Sequence, residues 1–182
     1  MQYPTIPPIF AQLLELSQHS DDDLAWEASL ALRFYFEREC INGDAKWLAD
    51  VEAFLEFQDV LKEATGVSSI KDIKIGEAQI YALAFEVFNR IERGEQNAWH
   101  LALILKQAAC VPELHNAARK YLHKNWRKDE GVSLNLLYAI WGSENTAEHK
   151  ETLKDISAAA TNDQLRQHAE QTLRVLSEIE AG

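Results

Sequence analysis

The sequence of 182 residues predicts an all-α fold. Apolar residues recur at spacings of three and four over most of the chain, which is the period of an amphipathic helix. No stretch sustains the two-residue alternation that is typical of a half-buried strand. Glycines and prolines fall between the periodic segments, as expected of helices joined by short turns. With 47% hydrophobic residues, we predict one domain over residues 1–182 and about nine helices.

The first five predicted helices lie in the first 109 residues, and each has a start signal or an apolar stripe. Pro8 takes the first position of the first helix, where its missing N–H is no loss. The second helix follows a polar residue, Ser20, and begins with three aspartates. The third, fourth and fifth are predicted from apolar residues that repeat on one face. These five helices cover residues 8–17, 21–39, 44–65, 77–93 and 95–109.

The remaining four helices are predicted in the same way. Pro112 occupies the first position of the sixth helix. The seventh has an apolar stripe that ends at Trp141, and Gly131 is interpreted as the joint before it. The last begins with Thr161 and has Gln164 three positions later, which is a capping-box pattern. They cover residues 112–126, 133–141, 146–159 and 161–180.

Three of the predicted helices share a pattern in which a leucine, an alanine and a second leucine are spaced four residues apart on one face. An acidic residue precedes each of these stripes. The stripes are Leu24, Ala28 and Leu32; Leu114, Ala118 and Leu122; and Leu165, Ala169 and Leu173. This pattern resembles the second helix of HEAT-type helical hairpins over about a third of the chain. The resemblance implies antiparallel helical hairpins stacked into an α-solenoid, and a surface that binds protein. An irregular helical bundle is the alternative.

The net charge of −11 is concentrated in the first third of the chain. Residues 1–63 hold 13 acids against 4 basic residues, whereas residues 64–112 balance and residues 113–182 sum to −2. A concentrated negative field repels nucleic acid and anionic membranes and attracts basic proteins. We therefore expect no nucleic-acid partner and no membrane partner. The sixth predicted helix carries a local excess of positive charge, which we interpret as a solvated polar face.

Compartment signals favour a cytoplasmic location. The N-terminus has three prolines and no positively charged region, so it does not resemble a signal peptide. The longest mostly apolar run, residues 98–105, is too short to span a membrane. Cys40 and Cys110 lie in apolar surroundings, where unpaired cysteine is usually a small buried hydrophobe in a reducing compartment.

Catalytic and metal-binding motifs are absent from the sequence. There is no nucleophile elbow, no phosphate-binding glycine loop, and no HExxH or Glu-x-x-His pair. His100 lies in an apolar run and is expected to be buried and hydrogen-bonded. We expect a protein that is not an enzyme and that needs no cofactor and no metal.

Two acidic groups are the candidate binding residues, and Trp26 lies beside the first. Helix capping accounts for one or two of three consecutive aspartates, and the third exceeds that need. Four more acids share one face of the third helix, where like charges are destabilising unless a cation compensates them. An ordinary solvated face is the alternative. The candidates are Asp21, Asp22, Asp23 and Trp26, with Glu52, Glu56, Asp59 and Glu63.

Together these patterns predict a non-catalytic module that recognises a basic protein through an acidic helical face. One version is an immunity or antitoxin-type inhibitor that covers the cationic site of a toxin. The alternative is an adaptor or scaffold that holds a peptide in a helical groove. Most of the five tryptophans are expected in the core, so an exposed aromatic near the acids would indicate a binding surface. The patterns contain no signal for an oligomeric state.

Overall fold

The computed structural model describes residues 6, 8–40, 77–106, 108, 111–141 and 146–181. Over these residues the chain forms eight helices and no strand, which confirms the all-α fold class. The predicted third helix, with Glu52, Glu56, Asp59 and Glu63, lies outside the described residues. The helices are α1 (Pro8–Leu16), α2 (Asp22–Cys40), α3 (Glu77–Arg93), α4 (Ala98–Leu105), α5 (Pro112–Asn125), α6 (Glu130–Ala139), α7 (Ala147–Ala159) and α8 (Asp163–Ala181).

The short helix α4 lies at the centre of the fold. All of its residues from His100 to Leu105 are buried, and it packs against α2, α3 and α6. A helix that is apolar on every side is stable only when other helices surround it. Around this centre α1 packs on α2, α5 on α3, and α8 on both α6 and α7. One hydrophobic cluster runs from Phe10 in α1 to Leu176 in α8.

The three leucine and alanine stripes are packing surfaces. Their alanines are fully buried, and a small residue at that position lets a neighbouring helix approach closely. Leu24 and Leu173, at the ends of two stripes, are half-buried. The stacking of hairpins into a solenoid stays a prediction. None of the helices in the described ranges is both long and apolar enough to cross a membrane.

Helix α3 ends in a glycine turn. Gly94 has φ of 73°, its N–H donates to the carbonyl of Ile91 at 3.0 Å, and the N–H of Glu95 donates to the carbonyl of Arg90 at 3.2 Å. This pair of bonds is a Schellman motif, which glycine favours because it has no Cβ. Because Glu95 belongs to this turn, α4 begins at Ala98, three residues later than predicted.

Helix α6 begins earlier than predicted, at Glu130. Asp129 is its N-cap, and the carboxylate accepts a hydrogen bond from the N–H of Val132 at 3.0 Å. Gly131, which the sequence suggested as a joint, therefore lies inside the first turn. A Cβ at this position would lie 2.8 Å from Cδ1 of Trp99. Glycine at this position therefore allows the Trp99 indole to approach the backbone closely, and it does not mark a helix end.

The start of α8 differs from the predicted capping box. Asn162 is the residue whose side chain accepts from the N–H of Leu165, at 3.0 Å. The carboxylate of Glu130 accepts both donors of Thr161 at 3.0 Å and the N–H of Asn162 at 2.5 Å. In the predicted capping box, Gln164 would accept a hydrogen bond from the N–H of Thr161. Glu130 of α6 accepts it instead, because the packing of α6 against α8 brings its carboxylate close. These bonds lower the pKa of Glu130, with the N–H of Thr161 as the main cause.

Candidate functional site

Two turns that are distant in sequence are held together beside α4. The side-chain amide of Asn97 donates to the carbonyls of Ser17 at 3.4 Å and His19 at 3.2 Å. In return, the side-chain oxygen of Gln18 accepts from the N–H of Asn97 at 3.3 Å. These bonds place the first turn of α2 next to the first turn of α4.

An open cleft of about 650 Å³ lies at this junction. Its walls are the first turns of α2 and α4, the turn at residues 96–97, and the residue that precedes α6. The cleft is open to solvent. Six of its lining side chains matter for its chemistry, and these are Asp22, Asp23, Trp26, Trp99, His100 and Asp129.

Carboxylates from two helices give the cleft a negative charge. Asp21 is used for capping, because its Oδ1 accepts from the N–H of Leu24 at 3.2 Å. Asp22 and Asp23 line the cleft, and 91% of the Asp22 side-chain surface is exposed. Asp129 adds a third carboxylate from the start of α6. No lysine or arginine occurs among the described lining residues.

Two tryptophans stack within the cleft. The ring centroids of Trp26 and Trp99 are 5.6 Å apart and their planes differ by 11°. Trp99 is 40% exposed, whereas Trp126 is buried in the core as expected. Gly131 lies directly against the Trp99 indole, so the absence of a side chain there is what permits this position. The expectation that most tryptophans fill the core is wrong for the described residues, since Trp141 is also exposed.

His100 lies beneath the two indoles. It is 7% exposed, and its ring meets Trp26 and Trp99 at steep angles of 62° and 66°. Its Nε2 is 3.7 Å from Oδ1 of Asp22, and its buried Nδ1 has no hydrogen-bond partner among the described residues. The predicted burial of His100 is confirmed. The prediction that it is hydrogen-bonded is wrong for Nδ1.

Glu27 follows Asp23 by one helical turn. Partial burial, and secondly the charge of Asp23, raise its pKa to about 7. Its Oε2 is buried with no hydrogen-bond partner in the part of the chain that the structure describes. The carboxyl therefore exists as a mixture of neutral and charged forms near neutral pH.

Replacing Glu27 by the neutral isostere glutamine is expected to stabilise the protein at alkaline pH. The pKa of Glu27 rises on folding from about 4.5 to about 7, so its ionisation costs stability as the pH increases through this interval. We expect Glu27→Gln to raise the free energy of unfolding by about 1–2 kcal/mol at pH 8, a value reduced for solvent screening of this partly exposed group. At pH 5 the gain should be much smaller. Urea unfolding at both pH values measures the difference.

Glu170→Gln, at an exposed position on α8, is the matched control for the loss of one carboxylate from an acidic chain. An equal gain from Glu27→Gln at pH 5 and pH 8 would contradict the proposed titration of Glu27.

Arg127, two residues after the end of α5, forms an ion pair within the protein. Arg127 pairs with Asp155 of α7 at 2.6 Å and lies 4.2 Å from the centre of the Trp126 ring. The indole N–H of Trp126 donates to the same carboxylate at 3.0 Å. These bonds give Arg127 a structural role. The interpretation of α5 as a solvated polar face stays a prediction.

The cleft unites some of the predicted site residues and adds others. Asp22, Asp23 and Trp26 lie in it, and Asp21 is adjacent as the helix cap. Trp99, His100 and Asp129 were missed, because they are far from α2 in sequence and only folding brings them close. No group of three or more His, Cys, Asp or Glu side chains in the described ranges is placed to hold a metal ion. No protein-family model, curated protein or solved structure matches this chain.

Proposed function

We propose that the protein is a non-catalytic binding module that recognises a basic protein through the acidic cleft. The observation that supports this is the convergence of Asp22, Asp23 and Asp129 around the stacked Trp26 and Trp99. Aromatic anchors with charged residues at their rim are the usual anatomy of an interaction hot spot. The negative net charge of the whole chain adds long-range attraction for a basic partner.

The concrete version of this proposal is a cytoplasmic inhibitor of the immunity or antitoxin type. Such a protein acts by covering a cationic site, and electrostatic steering speeds its capture by roughly 10–1000-fold at low salt. The second candidate is an adaptor or scaffold that holds a peptide, which the exposure of the apolar Trp99 ring favours. Ionic strength separates the two, since capture by charge weakens as salt rises and apolar contacts do not.

Affinity capture from the native host tests the proposal. The baits are the wild type, the cleft variant Asp22→Lys/Asp23→Lys, and the control Glu151→Lys/Glu170→Lys. Both pairs of residues are exposed, and both variants change the net charge equally. We expect a protein of positive net charge that the wild type and the control retain and the cleft variant loses.

Association kinetics with the captured protein complete the test. The association rate constant should fall at least tenfold in the cleft variant at low salt, and the two rates should converge near 0.5 M salt. A basic partner that binds the cleft variant as fast as the wild type would overturn the proposed role of the cleft. Binding that is insensitive to salt in the wild type would favour the adaptor.

A further inference from the structure

We infer that the cleft binds the guanidinium group of an arginine side chain from the partner, in preference to the ammonium of a lysine. This inference rests on the proposed function and specifies which basic residue enters the cleft. It is supported by three features that occur together, namely a flat aromatic surface, carboxylates from two helices, and a buried imidazole with an unpaired nitrogen.

The aromatic surface suits a planar cation. Trp26 and Trp99 are nearly parallel, and Trp99 leaves two-fifths of its surface accessible. A guanidinium is flat and weakly hydrated, so it can lie against an indole and keep its N–H groups free at its edges. An ammonium is a compact and strongly hydrated charge, which gains less from such a surface.

The carboxylates provide acceptors for those edge N–H groups. Asp22 and Asp23 extend from the first turn of α2, and neither is the cap of that helix, because Asp21 has this role. Arginine has five donors in a planar fork and binds carboxylates through two parallel hydrogen bonds. Helix α2 therefore keeps two acids at the cleft beyond what capping requires.

His100 is a further feature of the cleft, separate from the carboxylates, and its hydrogen bonding is incomplete. Buried polar atoms in proteins nearly always have hydrogen-bond partners. His100 lines the cleft and is more than nine-tenths buried, yet its Nδ1 has none among the described residues. Its Nε2 is 3.7 Å from Asp22, too far for a hydrogen bond. A guanidinium that draws Asp22 into the cleft would bring this carboxylate within hydrogen-bond distance of Nε2 of His100.

Titration of the protein with single amino-acid derivatives tests the inference. The probes are the α-N-acetyl methylamides of arginine, of lysine and of citrulline, which is close to arginine in shape but neutral. The indole N–H resonances of Trp26 and Trp99 in ¹⁵N spectra measure binding at the cleft. We expect saturable shifts with the arginine probe, a dissociation constant at least fivefold higher with lysine, and no saturable shift with citrulline.

Three variants locate the effect. Asp22→Asn/Asp23→Asn should weaken arginine binding at least fivefold, and Gly131→Ala should weaken it by displacing the Trp99 ring without any change of charge. The control Glu151→Gln/Glu170→Gln should bind as the wild type does. Equal affinity for arginine and lysine would overturn this inference while leaving the proposed function intact. Shifts that persist in the Asn double variant, or the absence of shifts with arginine, would also overturn it.

Discussion

Leu101→Ala is expected to lower the free energy of unfolding by about 3 kcal/mol, within the range measured for leucine truncations in well-packed cores. Leu101 is fully buried in α4, the helix that α2, α3 and α6 surround. The lost methyl groups leave a cavity that a helix packed against three neighbours has little freedom to fill. Urea or thermal unfolding, followed by circular dichroism, measures the loss.

Leu173→Ala is the matched control for this truncation. Leu173 is half-buried and packs on the edge of the same core, so we expect a loss of about 1 kcal/mol. Equal losses at the two positions would contradict the central role of α4. Because Trp99 and His100 precede Leu101 directly, their resonances also report whether the cavity disturbs the cleft.

Acidification is expected to destabilise the protein through His149. Burial, and secondly the charge of Arg119, lower the pKa of His149 to about 4. The unfolded chain takes up a proton at this residue near pH 6.5, whereas the folded chain does so only near pH 4. Above pH 6.5 His149 is neutral in both states and does not lower the free energy of unfolding. As the pH falls to 4, this free energy decreases by about 2–3 kcal/mol.

His149→Leu isolates this contribution. All other titrating groups are shared, so the difference in unfolding free energy between the variant and the wild type should grow by about 2 kcal/mol between pH 7 and pH 4.5. Urea unfolding of both proteins at both pH values measures this change, and it does not depend on how much the substitution itself alters stability at pH 7. A difference that stays constant over this range would show that His149 does not titrate as described.

Much of the fold could be predicted from the sequence because its signals are local. Helix α1 begins at the predicted Pro8, and α3 has the predicted bounds, with Gly94 directly after its last residue. Proline and glycine act within a turn of their own position, so their effect does not depend on the rest of the molecule. One or two of the three aspartates were expected to cap this helix, and Asp21 has that role, one residue before α2 begins.

The errors in the helix starts have tertiary causes. Gly131 was interpreted as a joint, but it lies within α6, which Asp129 caps, and Trp99 occupies the space that a side chain there would need. Thr161 was predicted to open a capping box, but its two donors bond to the carboxylate of Glu130 instead. In both cases a residue from another helix, Trp99 or Glu130, gives the position a role that its local sequence pattern does not contain.

The sequence predicts only the part of the candidate site whose signal is local. The surplus of aspartates at the start of α2 is visible in the sequence, and it identified Asp22 and Asp23. That Trp99 would stack on Trp26, and that His100 would be buried without a partner at Nδ1, follows only from the packing of α4 against α2.

The hydrogen bonds of Asn97 also have a consequence for folding. They join residues that are 78 to 80 positions apart, so forming them closes a long loop of chain. Closure of such a loop costs conformational entropy that only the surrounding contacts compensate, and contacts of this separation form slowly. We therefore expect the two walls of the cleft to meet late in folding, when the helices that surround them have assembled. A partner that requires both walls would then bind the completed fold and not the nascent or partly unfolded chain.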